Sequence, residues 1–116
     1  MSAAWRVKTR TSAVSQSLDE FDTAREFWAL ADEWERDTSH LSAIPKIVMH
    51  QAHQKIIGMG PRALPLILRR MRDRPGYWFW ALETIARESP IKAEDAGYTR
   101  RMKQAWLDWG TSKGLI

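Results

Sequence analysis

The three histidines are the first residues in this chain whose type and spacing suggest chemistry. His50 and His53 are separated by two residues, which on a helix places their imidazole rings one turn apart, and His40 precedes them. Zinc would require a third and a fourth ligand close to this pair. No carboxylate lies between His40 and Arg72, and only Asp37 is near enough in the chain to reach. We therefore expect the histidines to cap a helix or pack in the core, and we expect no metal or other cofactor.

The carboxylates and hydroxyls form no catalytic pattern. The acidic residues within 32–37 follow one another on an amphipathic segment, which is typical of a solvated acidic face. Ser39 and Ser42 flank His40 without a nucleophile elbow or an oxyanion motif. The segment Gly58-Met59-Gly60 is too short for a phosphate loop and lacks a following lysine. We predict that this protein is not an enzyme.

An arginine-rich segment is a better candidate for binding. Arginine grips phosphate or carboxylate through two parallel donors, and this segment contains no lysine. A solvated face, paired with acidic residues of the first helix, is the alternative interpretation. The arginines concerned are Arg62, Arg69, Arg70, Arg72 and Arg74.

An aromatic run follows these arginines, from Tyr77 to Trp80. Four consecutive residues of a helix point to all of its sides. Trp78 shares one face with Ala81, Leu82 and Ile85 by helical spacing, and we predict that this face is buried. Tyr77 and Trp80 share a second face. This face either packs beneath the last helix and the N-terminal region or remains exposed as an anchor, because Trp and Tyr dominate binding hot spots.

These patterns predict a non-enzymatic protein-binding module, such as a small adaptor, an inhibitor or an accessory subunit. The predicted partner-binding residues are Tyr77, Trp80, Arg69, Arg70 and Arg72. The alternative is a nucleic-acid-binding accessory protein, although no named binding motif supports it. Its contacts would be Arg6, Lys8, Arg10, Arg62, Arg69 and Arg70.

Charge is arranged in blocks along the 116 residues. Residues 1–18 carry three basic and no acidic side chains, whereas residues 19–37 carry eight acidic and two basic ones, a net charge of −6. Residues 38–76 have a net charge of +6, and the remainder has +1. Blocks of opposite sign can pair within a fold or face partners of opposite sign.

The overall composition narrows the class of protein. The length suits one domain, and an apolar content of 44% is sufficient for a core. The chain has no cysteine, which excludes disulfides and thiolate metal sites. No apolar run reaches the length of a membrane span, and no signal region follows the N-terminus. We expect a cytoplasmic protein without membrane contact.

The apolar periodicity predicts an all-α fold, a compact bundle of about five short helices. We predict that residues 1–16 form a flexible basic arm and residues 17–116 a single domain. Ser17 and Glu20 fit a capping box that would start the first helix, which should end near Thr38. Its apolar three-to-four repeat, expected to be buried, is Phe21, Ala24, Trp28, Ala31 and Trp34, with Phe27 and Leu30 beside them.

Prolines and glycines mark the remaining helices. Pro45 predicts a short helical piece, and a second helix covers about residues 52–57. Pro61 should open a third helix, whose buried stripe is Leu64, Ile67, Leu68 and Met71. A fourth helix is expected over residues 77–87 and a fifth over residues 98–109, with Gly110 at its fraying end.

Residues 53–85 resemble a bacterial HEAT-like repeat. A helix ends at Gly58-Met59-Gly60, an Ala63-Leu64-Pro65 helix follows, and an Asp73-Arg74-Pro75 link leads to the next helix. The resemblance implies a central helical hairpin in a scaffold that binds other proteins. Trp78-Phe79 stands where family members usually carry Val-Arg. The whole chain is also similar to small uncharacterised bacterial proteins that end in Ala-Trp-Leu-x-Trp-Gly, here residues 105–110; this suggests a setting beside mobile elements or defence genes.

Overall fold

The computed structural model describes the backbone of residues 2–116 and the side chains of residues 17–116. Short 3-10 turns cover Gly60–Ala63 and Ala93–Asp95. No strand occurs among the described residues, so the predicted all-α class is confirmed, and the short piece at Pro45 is a helix of its own. The six helices are α1 (Ser2–Thr38), α2 (Ile44–Val48), α3 (Gln51–Gly58), α4 (Leu64–Asp73), α5 (Phe79–Ala86) and α6 (Thr99–Ser112).

The first helix differs from its prediction in where it starts and in which side it buries. It begins at Ser2, so Ser17 lies within the helical backbone instead of capping it. The side chains of residues 1–16 lie outside the described ones, and the flexible arm stays a prediction. The buried stripe is Phe27, Ala31, Trp34 and Thr38, spaced by four, three and four residues.

Phe21 and Trp28, which the sequence placed on that stripe, are exposed instead. Two apolar stripes follow different sides of α1, and helical spacing alone favours neither of them. Packing against α3 and the turn that precedes α4 selects the stripe that contains Phe27.

A tryptophan-rich cluster joins α1 to the rest of the fold. The Trp78 ring lies 4.4 Å from the Trp34 ring and 5.7 Å from the Phe27 ring, measured between centroids. His53 of α3 lies 5.1 Å from Trp34 and 6.2 Å from Trp78. The indole N–H of Trp34 donates to the carbonyl of Ile47 at 2.8 Å. The cluster therefore holds three separate segments of the chain together.

The predicted buried faces of α4 and α5 are largely confirmed. All four residues of the α4 stripe are buried, and so are Trp78, Ala81 and Leu82, while Ile85 is half-buried. Phe79 is buried as well, because the cluster and the neighbouring helices surround the start of α5 on more than one side. Pro61 belongs to the 3-10 turn, and Pro65 stands in the first turn of α4, where a missing N–H donor is harmless.

The expectation that Gly110 marks a fraying helix end was wrong. The last helix continues to Ser112, and Gly110 is buried where it meets α4. A Cβ atom at Gly110 would lie 2.6 Å from Cδ1 of Leu68, so only glycine lets the two helices approach this closely. Gly114, two residues beyond the helix, has φ of +72°, and the Leu115 N–H donates to the Gly110 carbonyl at 2.9 Å. This Schellman turn folds the last two residues back onto the fold.

Candidate functional site

A groove runs between the exposed side of α4 and the neighbouring side of α1. At one end it has a volume of about 310 Å³ and is lined by Trp28, Leu66, Arg69 and Arg72, among others. It continues past Leu66 and Arg69 into a wider part of about 610 Å³. The lining residues of the wider part include Asp19, Glu20, Thr23 and Ala24 of α1, Arg62, Pro65, Leu66 and Arg69 on and before α4, and Leu115. We call the two parts together the α1–α4 groove.

The helical period places the basic and apolar side chains of this groove on one side of α4. Arg62, Leu66 and Arg69 are spaced by four and three residues, and the buried stripe of α4 occupies the opposite side. Pro65 lies between them in the first turn of the helix. The outer surface of α4 is therefore an apolar patch with an arginine at each end.

Arg70 is a predicted contact residue whose side chain joins two helices of the fold. Its side chain is only 10% exposed. Its Nε donates to Oε1 of Glu35 at 3.0 Å, and its second terminal nitrogen donates to Oε2 at 2.7 Å, so the contact is bidentate. The same nitrogen also contacts Asp32, and Arg74 lies 3.4 Å from Glu35. These contacts join α4 to α1.

The electrostatics of this cluster favour the charged guanidinium. The hydrogen bond that Arg70 donates to Glu35 is the main cause that raises the pKa of Arg70 above its ordinary value, and the contact with Asp32 adds to it. Arg70 and Arg74 thus pair with acidic residues of α1, as the alternative interpretation of the arginine-rich segment predicts.

Replacing Arg70 is expected to lower the stability of the fold. Arg70→Ala should cost about 2 kcal/mol of unfolding free energy, because two carboxylates lose their partner in a partly buried site. The matched control is Arg72→Ala, since Arg72 is exposed and within residues 17–116 pairs only with the adjacent exposed Asp73. That variant should change stability by less than about 0.5 kcal/mol. Urea denaturation measures both, and equal losses would contradict a special role for Arg70.

Arg62 and Arg69 remain available at the surface. Both are exposed, and neither forms an ion pair with any side chain in residues 17–116. They lie seven residues apart, which corresponds to about 10 Å along the helix. Arg72, beside them, is held only by Asp73 at 3.1 Å. These arginines can donate to carboxylates or phosphates outside the fold.

Trp28 is the functional candidate that the sequence interpretation missed. Its side chain is 49% exposed, and it lines the groove beside Leu66 and Arg69. The helical periodicity of α1 allows Trp28 to lie either on a buried stripe or on an exposed one. Only the packing of α1 shows that this indole faces the arginines.

The predicted aromatic contacts lie apart from the groove. Tyr77 is half-buried and packs edge-on against Phe79, with ring centroids 5.4 Å apart. Trp80 is 48% exposed, as the anchor interpretation requires, but neither Tyr77 nor Trp80 lines the groove that contains Arg69 and Arg72. The structure therefore does not bring the predicted aromatic and arginine contacts into one site.

His50 and His53 have structural roles, helix capping and core packing, which were the expected alternative to a metal site. Nδ1 of His50 accepts from the Ala52 N–H at 3.0 Å and caps α3, and its Nε2 lies 2.9 Å from Oδ2 of Asp37. His53 is fully buried in the tryptophan cluster. Within the part of the chain that the structure describes, no three potential ligands are placed to hold a metal ion.

No protein-family model matches this chain, and neither a curated protein nor a solved structure is similar to it. The HEAT-like resemblance of residues 53–85 therefore stays a prediction.

In residues 2–116, no helix combines the length and the apolar character needed to cross a membrane. The side chains of Arg6, Lys8 and Arg10, which the nucleic-acid alternative requires, lie outside the described ones.

Proposed function

We propose that this chain is a non-enzymatic protein-binding module and that the α1–α4 groove is its contact surface. The observation that carries the proposal is the position of Trp28, which is half exposed beside an apolar patch with free arginines at its ends. The partner segment would supply an aliphatic or aromatic side chain for the patch and carboxylates for Arg62 and Arg69. Tyr77 and Trp80 remain a second candidate surface on α5.

The composition of the groove supports a protein partner. Tryptophan and arginine are the residue types most enriched among binding hot spots, and they contribute most at the centre of an interface where water is excluded. Leu66 and Pro65 offer an apolar floor at which a partner side chain would lose its contact with water. Arginine at both ends would fix the orientation of an acidic segment.

The opposite wall of the groove disfavours nucleic acid. Asp19 and Glu20 face the arginines across the wider part of the groove, and residues 19–37 carry a net charge of −6. A continuous phosphate backbone would run beside like charges along the whole groove, whereas a peptide can place single carboxylates at Arg62 and Arg69 and apolar side chains between them. Nucleic-acid binding through the basic N-terminal residues remains the second candidate function.

Two tryptophans of equal exposure allow a matched test. The full-length chain is used to recover its partner from its native host, and the affinity of the purified partner is then measured for Trp28→Ala and Trp80→Ala. We expect Trp28→Ala, and separately Arg69→Glu, to weaken binding at least about tenfold, while Trp80→Ala leaves it unchanged.

Other outcomes assign the function elsewhere. Loss of binding in Trp80→Ala alone would move the contact surface to α5 and overturn the groove assignment. Recovery of a nucleic acid, with an affinity that falls steeply as salt is added and that is insensitive to Trp28→Ala, would replace the proposal by the nucleic-acid alternative.

A further inference from the structure

Part of α1 carries exposed apolar side chains that the rest of the fold does not cover. None of residues 17–26 is buried. Leu18 is 60% and Phe21 58% exposed, and the guanidinium of Arg25 lies 5.9 Å from the centroid of the Phe21 ring. A helix without tertiary packing is marginally stable in water, so this segment would be stabilised by a partner on that side.

The spacing of these residues is that of a two-helix interface. Leu18, Phe21 and Arg25 are three and four residues apart, as at the a and d positions of a heptad repeat. At about 100° per residue, this register falls on the side of α1 opposite the buried stripe that contains Phe27. Trp28 continues the spacing but lines the α1–α4 groove.

The charges along α1 specify how a second copy would lie. Residues 1–18 carry three basic and no acidic side chains, whereas residues 19–37 have a net charge of −6. In a parallel pair, each block would face the same block of its partner and the charges would repel. In an antiparallel pair centred near residue 20, the basic block of each copy would face the acidic block of the other.

Acidic side chains are available for such a contact. Asp22, Glu26 and Glu33 lie beside the Leu18–Phe21 register on α1, and all of them are exposed. Among residues 17–116 none of them forms an ion pair, in contrast to Asp32 and Glu35, which Arg70 engages. They are thus placed to meet a basic segment that approaches from outside the fold.

We infer that the partner of this face is a second copy of the chain, bound as an antiparallel pair through α1. The contact would centre on Leu18 and Phe21, and Arg6, Lys8 and Arg10 of each copy would lie beside the acidic half of the other. The 37 residues of α1 correspond to about 55 Å, which is long enough to bury the area of a stable interface. This inference does not depend on the α1–α4 groove, whose arginines lie on α4.

Sedimentation velocity of the full-length chain tests the pairing. We expect the wild type to shift from monomer to dimer as its concentration rises towards about 100 µM. The double substitution Leu18→Glu and Phe21→Glu should leave only monomer, with an unchanged circular dichroism spectrum of the folded chain because both side chains are exposed. The control variant Arg69→Glu should remain dimeric. A wild type that stays monomeric, or a double variant that still dimerises, would overturn the inference.

The orientation can be measured separately. The chain has no cysteine, so Glu33→Cys gives a single position for a spin label. In an antiparallel pair centred near residue 20, the two labelled positions would be about 40 Å apart, whereas in a parallel pair they would be neighbours. A distance near the larger value supports the inference, and a short distance in a dimer excludes the antiparallel arrangement.

Discussion

Trp78→Ala is expected to cost about 4 kcal/mol of unfolding free energy, because it would leave a large cavity at the centre of the fold. The Trp78 side chain has no exposed surface and contacts Trp34 and Phe27 of α1 as well as His53 of α3. The cavity would be lined by rings from separate segments, which cannot collapse without moving α1. A loss of this size is a large fraction of the stability of an ordinary domain.

A matched control is available two residues later in the chain. Trp80→Ala removes the same type of side chain at the start of α5, but Trp80 is 48% exposed. We expect it to cost less than about 1 kcal/mol. Urea denaturation followed by circular dichroism compares the two variants at equal protein concentration. Losses of similar size would show that Trp78 is not the centre of the core.

The second large effect is a loss of stability in acid that depends on His53. Burial in the tryptophan cluster is the main cause that lowers the pKa of the His53 imidazole to about 4, and the nearby His50 contributes in the same direction. The carbonyl of Val48 acts in the opposite direction, although neither ring nitrogen of His53 has a hydrogen-bond partner in the described part of the chain. His53 is therefore neutral in the folded protein at pH 7.

The sign of the pH dependence follows from the two pKa values. In the unfolded chain His53 has the ordinary value of 6.5, so as the pH falls below 6.5 the unfolded state binds a proton that the folded state does not. The resulting loss begins near pH 6.5 and is complete below about pH 4. Over this range it should amount to about 3 kcal/mol.

Comparing variants separates the contribution of His53 to the pH dependence of stability from the contribution of the carboxylates. His53→Leu should remove the dependence specific to His53 between pH 4 and pH 6.5, even if the variant is less stable at pH 7. The comparison variant His40→Gln changes an exposed histidine outside the tryptophan cluster. Unfolding free energies from urea titrations at several pH values measure the difference. Parallel curves for wild type and His53→Leu would contradict the prediction.

The contacts that hold α1 in the fold also matter for the proposed binding surface. One wall of the α1–α4 groove is α1, and α1 is held in place by the tryptophan cluster and by the Arg70 contacts. Substitutions at Trp78 or Arg70 would therefore weaken partner binding indirectly, by loosening this wall. Trp28 and Arg69 are exposed, and changing them tests binding without disturbing the core.

The short helices were predicted well from local signals. Pro45, Pro61 and the Gly58–Gly60 segment each mark a helix boundary close to the one observed. Proline restricts the backbone dihedral angles and glycine widens their allowed range, and both effects act locally in the chain. The buried stripes of α4 and α5 followed from a single apolar face each. The prediction for Gly110 was wrong because a side chain there would collide with Leu68, which lies 42 positions earlier in the chain.

By itself, the sequence determined the all-α class, most helix boundaries, and the opposite charges of the acidic and arginine-rich segments. Helical periodicity and turn chemistry act over a few residues, so they can be inferred from neighbours in the chain. Only the tertiary structure decided which of the two apolar stripes of α1 is buried, and thereby which tryptophans are exposed. It also decided that Arg70 joins two helices while Arg69 faces solvent, since both outcomes depend on contacts between residues far apart in the sequence.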